Sequence, residues 1–348
     1  MLFHEQKFYN VISLACNGDY FKIKSLWDKT GSWERAWNFL DKSSKIDPDQ
    51  EWEKLRKLGI ALILKEDLEY PLMLREIPCP PFGIYLKGNI KLLKQSPLLA
   101  IVGTRKATAQ GREIAFTISR ELSKNEIVIV SGLALGIDES AHQGVVANNE
   151  KTIAVLACGL ERIYPAQNHV LGEKILALGG AIISEYPIGS ATYSNRFLER
   201  NRIVSGLSSA IIVIEAPCRS GALVTAKFAL EQNREVFVIP GSFGHKNYEG
   251  SHELIRSGAS LVGKIDDLLE FLNISRTSVA SKKISRELPF LDENQKLLLQ
   301  KVELEKNPIS VDKLVEITKL SPQVVNRSLS ALIINNFVKE EGGRYYIS

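Results

Sequence analysis

No apolar run in this sequence approaches the roughly 18 residues that a membrane-spanning helix needs. Its start, MLFHEQKFYN, lacks the apolar core of a secretory leader, so no signal peptide is expected. Cysteine is scarce. Cys16, Cys79, Cys158 and Cys218 lie far apart without C-x-x-C or other metal spacing, and few, scattered thiols fit a reducing cytoplasm. His169, His245 and His252 have no ligand partner at metal spacing, so neither a metal nor a cofactor is expected. There is no Gly-x-Ser-x-Gly elbow and no GxxxxGK[ST] phosphate loop. The segment GTRKATAQG departs from a GxGxxG fingerprint, which argues against NAD. Asp138 and His142 stand four apart, as an acid–base pair could, but read first as a first-turn carboxylate and a helix-face histidine. Excess charge is also missing. The net charge is +4; residues 1–97 carry 15 Lys+Arg against 13 Asp+Glu, residues 98–272 carry 17 against 18, and residues 289–348 carry 8 of each. With no globally basic domain, any nucleic-acid binding has to rest on a local patch.

What is present is a globular composition, 45% hydrophobic and 24% charged, and 348 residues suggest two or three domains. Residues 1–70 read as a helical unit: Phe8, Ile12, Leu26, Trp27, Trp33, Trp37, Phe39 and Leu40 recur at helical spacing, and Asp47-Pro48-Asp49 can open a further helix. Ile60–Leu64 and Phe82–Lys87 look like short strands, with Ile77–Pro81 a connector that cannot be helical. From Leu98 six near-continuous apolar runs follow: Leu98–Val102, Ile127–Val130, Thr152–Leu156, Ala181–Ile183, Ala210–Ile214 and Val236–Ile239. Helical patterns separate them. Continuous runs imply burial on both faces, hence an α/β, Rossmann-like, mostly parallel sheet with helices on each side over residues 71–272. Residues 273–288, rich in Ser, Lys and Arg, read as a linker. Residues 289–348 give a helix capped by Ser310, a second capped by Ser321 with Pro322 first, and a hairpin closing around Gly342-Gly343, the layout of a winged helix.

In an open parallel sheet, ligands bind beyond the carboxyl ends of the strands. Those ends read Gly103-Thr104-Arg105, Ser131-Gly132, Cys158-Gly159, Ser184-Glu185-Tyr186-Pro187, Glu215 to Gly221, and Pro240-Gly241. Glycines there let backbone amides approach an anion, and the following helix N-termini add partial positive charge, so a phosphate-bearing ligand is expected. Arg105, directly after the first strand, can grip a phosphate with two hydrogen bonds. A second basic focus is Asn195-Arg196-Phe197-Leu198-Glu199-Arg200-Asn201-Arg202. Arginines interleaved with an aromatic suit a single strand of nucleic acid, with cations on the backbone and a base on the ring.

The motifs AIVGTRKAT, IVSGLALGIDESAH, CGLERIYPAQN, SEYP, FLERNRIVSGLS, EAPCRSGALVTAKFALEQNREVFVIPG and EGSHELIRSGA occur in the order seen in DNA-processing protein A (DprA/Smf) proteins. From about Tyr70 to Leu272 the chain resembles that family. The resemblance implies a non-catalytic protein that dimerises through its Rossmann-like domain, binds single-stranded DNA cooperatively, and loads the RecA recombinase in natural transformation. It places the G-[ST]-R motif on Gly103, Thr104 and Arg105, the base-meeting aromatic on Phe197, and the Arg-Asn-Arg run on Arg200, Asn201 and Arg202. The phosphate-cradling loops fall on Ser131-Gly132 and Ser220-Gly221. Where some relatives carry lysine, this chain has Gln167 and Ser194, and Arg162 and Arg196 are the substitutes nearest in sequence. The N-terminal unit corresponds to a sterile-alpha-motif-like or helix-hairpin-helix-like unit of relatives.

Two other readings stay open. One is a nucleotide-binding hydrolase of the lysine-decarboxylase-like group, which shares the fold but has the signature PGGxGTxxE; this chain has Arg219-Ser220-Gly221-Ala222-Leu223-Val224-Thr225-Ala226, without the catalytic Glu. The other is a winged-helix regulator with a ligand-sensing α/β domain. Against it stands a second tail helix with one arginine and no lysine, which favours protein contact over duplex binding.

Overall fold

The computed structural model describes residues 2–40, 46–274, 292–304, 308–334 and 337–347, which divide into two compact units, Met1–Thr277 and Ser278–Ser348. In the first unit four helices lead: α1 (Leu2–Ala15), α2 (Tyr20–Thr30), α3 (Trp33–Phe39) and α4 (Pro48–Lys57). Asp19, Ser32 and Asp47 cap α2, α3 and α4 with side-chain oxygens on first-turn amides, and Pro48 opens α4 as its sequence predicts. Then come β1 (Ala61–Leu64), the single turn α5 (Leu72–Arg75) and β2 (Gly83–Gly88). The alternating part runs β3 (Leu98–Gly103), α6 (Ala109–Ser123), β4 (Val128–Ser131), α7 (Ile137–Ala147), β5 (Thr152–Leu156), α8 (His169–Ala177), β6 (Ala181–Ser184), α9 (Ser194–Leu207), β7 (Ala210–Ile214), α10 (Gly221–Glu231), β8 (Glu235–Val238), α11 (Glu249–Arg256), β9 (Ser260–Leu261) and α12 (Ile265–Phe271).

These strands form one sheet in the order β1-β2-β6-β5-β4-β3-β7-β8-β9. Strands β3 to β9 pair in parallel, and β2 joins β6 antiparallel, carrying β1 as an antiparallel edge. All six long apolar runs are strands within a residue or two of their expected ends. The two-residue β9 has no apolar run to announce it. The chain steps outward from β3 to β6 and returns to β7 on the other side of β3, so the switch point lies between β3 and β7.

Side chains alternate across each strand, and the core follows that period. On β3, Leu98, Ala100 and Val102 face α9 and α10, while Leu99 and Ile101 face α6 and α7. On β5, Ile153 and Val155 join the first of these cores. Ala154 and Leu156 instead pack with Tyr9, Ile12, Ile23 and Trp33 of the N-terminal helices. Residues 1–70 therefore share a core with the sheet, and β1 is one of its strands, so packing continues across residue 70. Phe39, read with the apolar face, is 63% exposed.

The second unit contains α13 (Glu293–Leu304), β10 (Ile309–Ser310), α14 (Val311–Thr318), α15 (Pro322–Ile334), β11 (Val338–Glu341) and β12 (Arg344–Ile347), with a sheet ordered β10-β12-β11. Ser310 and Ser321 accept from Lys313 and Val324, the capping expected of them. Leu314, Val325, Leu329 and Leu332 fill a core of its own. The layout is that of a winged helix. Of the expected linker, residues 275–288 lie outside the described residues. Among the described residues no helix is long and apolar enough to cross a membrane.

Candidate functional site

At the carboxyl end of β3 the chain lies close to that of β7. The Thr104 amide donates to the Glu215 carbonyl (2.8 Å), and a Cβ on Gly103 would overlap the Ile214 carbonyl oxygen and press on Ile137. Only glycine permits that approach. Glu215 is buried and accepts from the Thr108 amide and hydroxyl and from Asn247 Nδ2. Burial alone would raise its pKa, but hydrogen bonds from Thr108, Asn247 and Tyr248 outweigh it and hold the carboxyl below its ordinary value. This carboxylate fixes the start of α6 and the loop after β8 against the loop that bears Arg105.

A cavity of about 520 Å³ opens over this switch point. Gly103, Thr104, Arg105, Phe197, Arg200, Asn201, Ser220 and Gly221 all line it, so eight of the residues singled out from sequence converge there. Arg105 is exposed, and its guanidinium lies 4.6 Å from the Phe197 ring centroid. The Tyr164 ring, 39% exposed, stands 5.7 Å from Phe197. On the other wall α10 begins: the Ser220 hydroxyl accepts from the Ala222 amide, and Asn201 Nδ2 donates to the Gly221 carbonyl. A helix N-terminus, an exposed arginine and an aromatic ring thus border one opening, with Tyr164 behind the ring, and have the chemistry to take an anion and a flat ring together.

Arg200 reaches the same wall from below. It is buried and donates to the Gly132 carbonyl (2.6 Å) and the Val155 carbonyl, closing the ends of β4 and β5. Burial lowers its pKa, and Asp138 opposes that. A Cβ on Gly132 would overlap the Arg200 guanidinium, so this glycine makes room for the arginine. The Gly132 amide donates to Asp138 Oδ2 (3.1 Å) and the Ser131 hydroxyl to the Ile101 carbonyl (2.6 Å). The Ser131-Gly132 pair, expected to cradle phosphate, therefore has its donors committed inside the protein and supports Arg200. Asp138 is a first-turn carboxylate of α7, raised by burial against the pull of Arg200. His142 is buried against Thr152 (2.9 Å). The Thr152 hydroxyl already donates to the Ile129 carbonyl, so the imidazole proton sits on Nδ1.

Arg196 and Arg202 point away from the cavity. Arg196 donates to the Ala191 carbonyl (2.7 Å) and the Asn17 carbonyl (2.5 Å) and stacks over Tyr186 and Tyr193. Arg202 pairs with Glu185 at 2.6 Å, both side chains less than a tenth exposed. These two arginines tie α9 to the N-terminal helices and the end of β6; the structure does not bring them to the cavity. For Arg202 the cause is helical periodicity; Arg196, in the first turn of α9, instead reaches back to the Ala191 carbonyl. At about 100° per residue, Arg200 and Asn201 fall within a sixth of a turn of Phe197, whereas Arg202 falls nearly opposite. Two residues that the sequence reading did not single out do join the cavity region: Arg219, which lines it, and Tyr164, which meets Phe197. The Tyr164-Pro165 motif was visible, but nothing local said that its ring reaches α9.

Known proteins resemble this chain in sequence and in fold. The family model for DNA recombination-mediator protein A matches residues 61–273. Protein Smf of Synechocystis is 36% identical over 338 residues, covering 88% of this chain and 85% of that protein. DNA processing protein DprA of Bacillus subtilis is 38% identical, covering 62% and 73%. Among solved structures, that of DNA processing protein A from Streptococcus pneumoniae is similar at TM-score 0.61 and 38% identity, over 68% of this chain and 80% of that one. That of DNA processing protein A from Helicobacter pylori, described for its single-stranded DNA binding mode, is similar at TM-score 0.56 and 33% identity, over 62% and 95%. The chain belongs to the DNA recombination-mediator protein A family, the DprA/Smf proteins.

Proposed function

We propose that this protein binds single-stranded DNA across the carboxyl edge of its sheet, cooperatively, as a homodimer and without catalysis, and loads a RecA recombinase onto it during DNA uptake and recombination. The observation that carries the reading is the Arg105–Phe197 stack beside Tyr164, facing the N-terminus of α10 across one cavity. Phosphates meet Arg105, Arg219 and the amides of the first turn of α10, while a base stacks on Phe197. Stacking accepts every base, so sequence preference is slight. Arg200 and Gly132 act as positioning residues beneath. The Helicobacter pylori relative's described single-stranded DNA binding and the family's description as recombination mediators support both halves of the reading. Among the described residues lining the cavity the one carboxylate is Asp138, engaged with the Gly132 amide, and no histidine or cysteine joins it. That set suits binding better than the hydrolase alternative.

Titrating the purified protein against fluorescent single-stranded and duplex oligonucleotides over a salt series tests this. Tight, salt-sensitive binding that prefers the single strand is expected. Absence of binding at low salt would move the assignment to a nucleotide ligand, with nucleoside monophosphates tried first. Recombinase loading is read separately, as strand exchange on DNA precoated with single-strand-binding protein; no stimulation by this protein would remove that role.

A further inference from the structure

Resting on that reading, we propose that Phe243 is a second base-stacking platform, and that the bound strand runs along the sheet edge from the Tyr164–Phe197 side to the loop after β8. Phe243 is fully exposed, 102% by relative area. A lone exposed apolar residue is ordinary on a protein surface, so the case rests on how the loop is held and what surrounds it. The loop is tied down. Asn247 Nδ2 donates both to the Lys106 carbonyl (3.0 Å) and to Glu215 Oε2 (2.9 Å). The Asn247 amide donates to His245 Nδ1 (3.2 Å), and the His245 amide to the Ser242 carbonyl (3.2 Å). The segment presenting Phe243 is thereby fastened to the segment presenting Arg105, through the same buried carboxylate that orders the site.

Charge and position then name the occupant. Lys246 stands in this loop and Lys106 on the segment it is fastened to, both exposed and neither ion-paired among the described residues. Exposed cations and an exposed aromatic on two fastened segments match a polyanion that carries stackable rings, a single strand, better than they match an apolar protein face. The loop leaves β8, two strands from β3, a lateral step of ~10 Å at the usual strand spacing. A strand gripped at Arg105 meets Phe243 by continuing along the edge in the direction of β7 and β8.

The test uses the full chain with Phe243→Ala, Phe243→Trp and Arg105→Ala, against a short oligothymidylate that fills only the cavity and a longer one. Phe243→Ala is expected to weaken the longer oligonucleotide roughly 5- to 150-fold, the range of one base stack. It should leave the short one and the salt slope unchanged, because the ring is neutral. Phe243→Trp should restore affinity and lose emission when the longer strand binds. If Phe243→Ala binds the longer strand like the parent while Arg105→Ala is impaired, this inference falls and the site reading stands. If Phe243→Ala changes the oligomeric state and weakens both lengths equally, the ring belongs to a contact between copies and the inference falls. If the parent binds neither length, the site reading falls and takes this inference with it.

Discussion

Four arginines near one sheet edge differ by what surrounds each guanidinium. Arg105 is exposed over an aromatic ring, whereas Arg196, Arg200 and Arg202 are 5%, 4% and 7% exposed and bound to protein oxygens. Removing one partner of a buried ion pair leaves the other charge without compensation. Arg202→Met should therefore lower stability by about 3–5 kcal/mol in denaturant unfolding, and replacing Glu185 by Leu in the same chain should recover much of that loss. A single variant as stable as the parent would show that the pair holds nothing together. His142 gives a pH signature. Burial, with the Arg200 charge adding to it, holds its imidazole down at about 3, against an ordinary 6.5. Below pH 6.5 the unfolded chain takes up a proton there that the folded chain refuses, so stability falls as the pH drops from 6.5 towards 3. Asp138 works in the opposite sense, since its folded-state pKa is raised and acid favours its folded form. His142→Asn keeps a donor towards Thr152 and cannot titrate. Unfolding midpoints measured from pH 7 to pH 4 should decline less for this variant than for the parent, and equal declines would contradict the assignment.

At the scale of elements, α9 is the member that the site depends on, because it brings Phe197, Arg200 and Asn201 to the cavity and turns Arg202 away from it. The strands were legible because burial on both faces leaves uninterrupted apolar runs such as Ala210–Ile214, and the helix starts because Asp47-Pro48 and Ser321-Pro322 are explicit caps. The division of α9 was half legible. The 100° step separates Phe197 and Arg200 from Arg202, but the fate of Arg200 depends on Gly132, 68 residues earlier, and no local pattern carries that. For the same reason Ser131-Gly132 resembles an anion loop in sequence while its donors close on Asp138 and Ile101. The antiparallel β2 was hidden too, since its run resembles that of a parallel strand. Gly132→Ala tests the packing account. The added methyl displaces Arg200, with an expected stability cost of about 1–3 kcal/mol and weakened single-strand binding, read by denaturation and by anisotropy. Parental values in both would show that Arg200 does not need the space.

For the whole molecule, each unit has its own core, so binding can be assigned to one of them. A chain ending near residue 277 is expected to keep single-strand affinity within about twofold of the full chain under conditions of equal oligomeric state, since phosphate contacts set that affinity. In the tail, α15 carries Arg327 and no lysine, which suits a protein partner better than duplex phosphates. Retardation of duplex DNA by the isolated tail at physiological salt would reverse that view. The central claim is that the exposed Arg105, and not the buried arginines of α9, contacts the phosphates. It is tested most directly by the slope of log affinity against log salt for single-stranded DNA, measured on the parent, Arg105→Ala and folded Arg202→Met. The account predicts weaker binding and a slope shallower by about 0.7 for Arg105→Ala, with the parental slope kept by Arg202→Met. Unchanged affinity and slope in Arg105→Ala, or a slope lost in Arg202→Met, would contradict it.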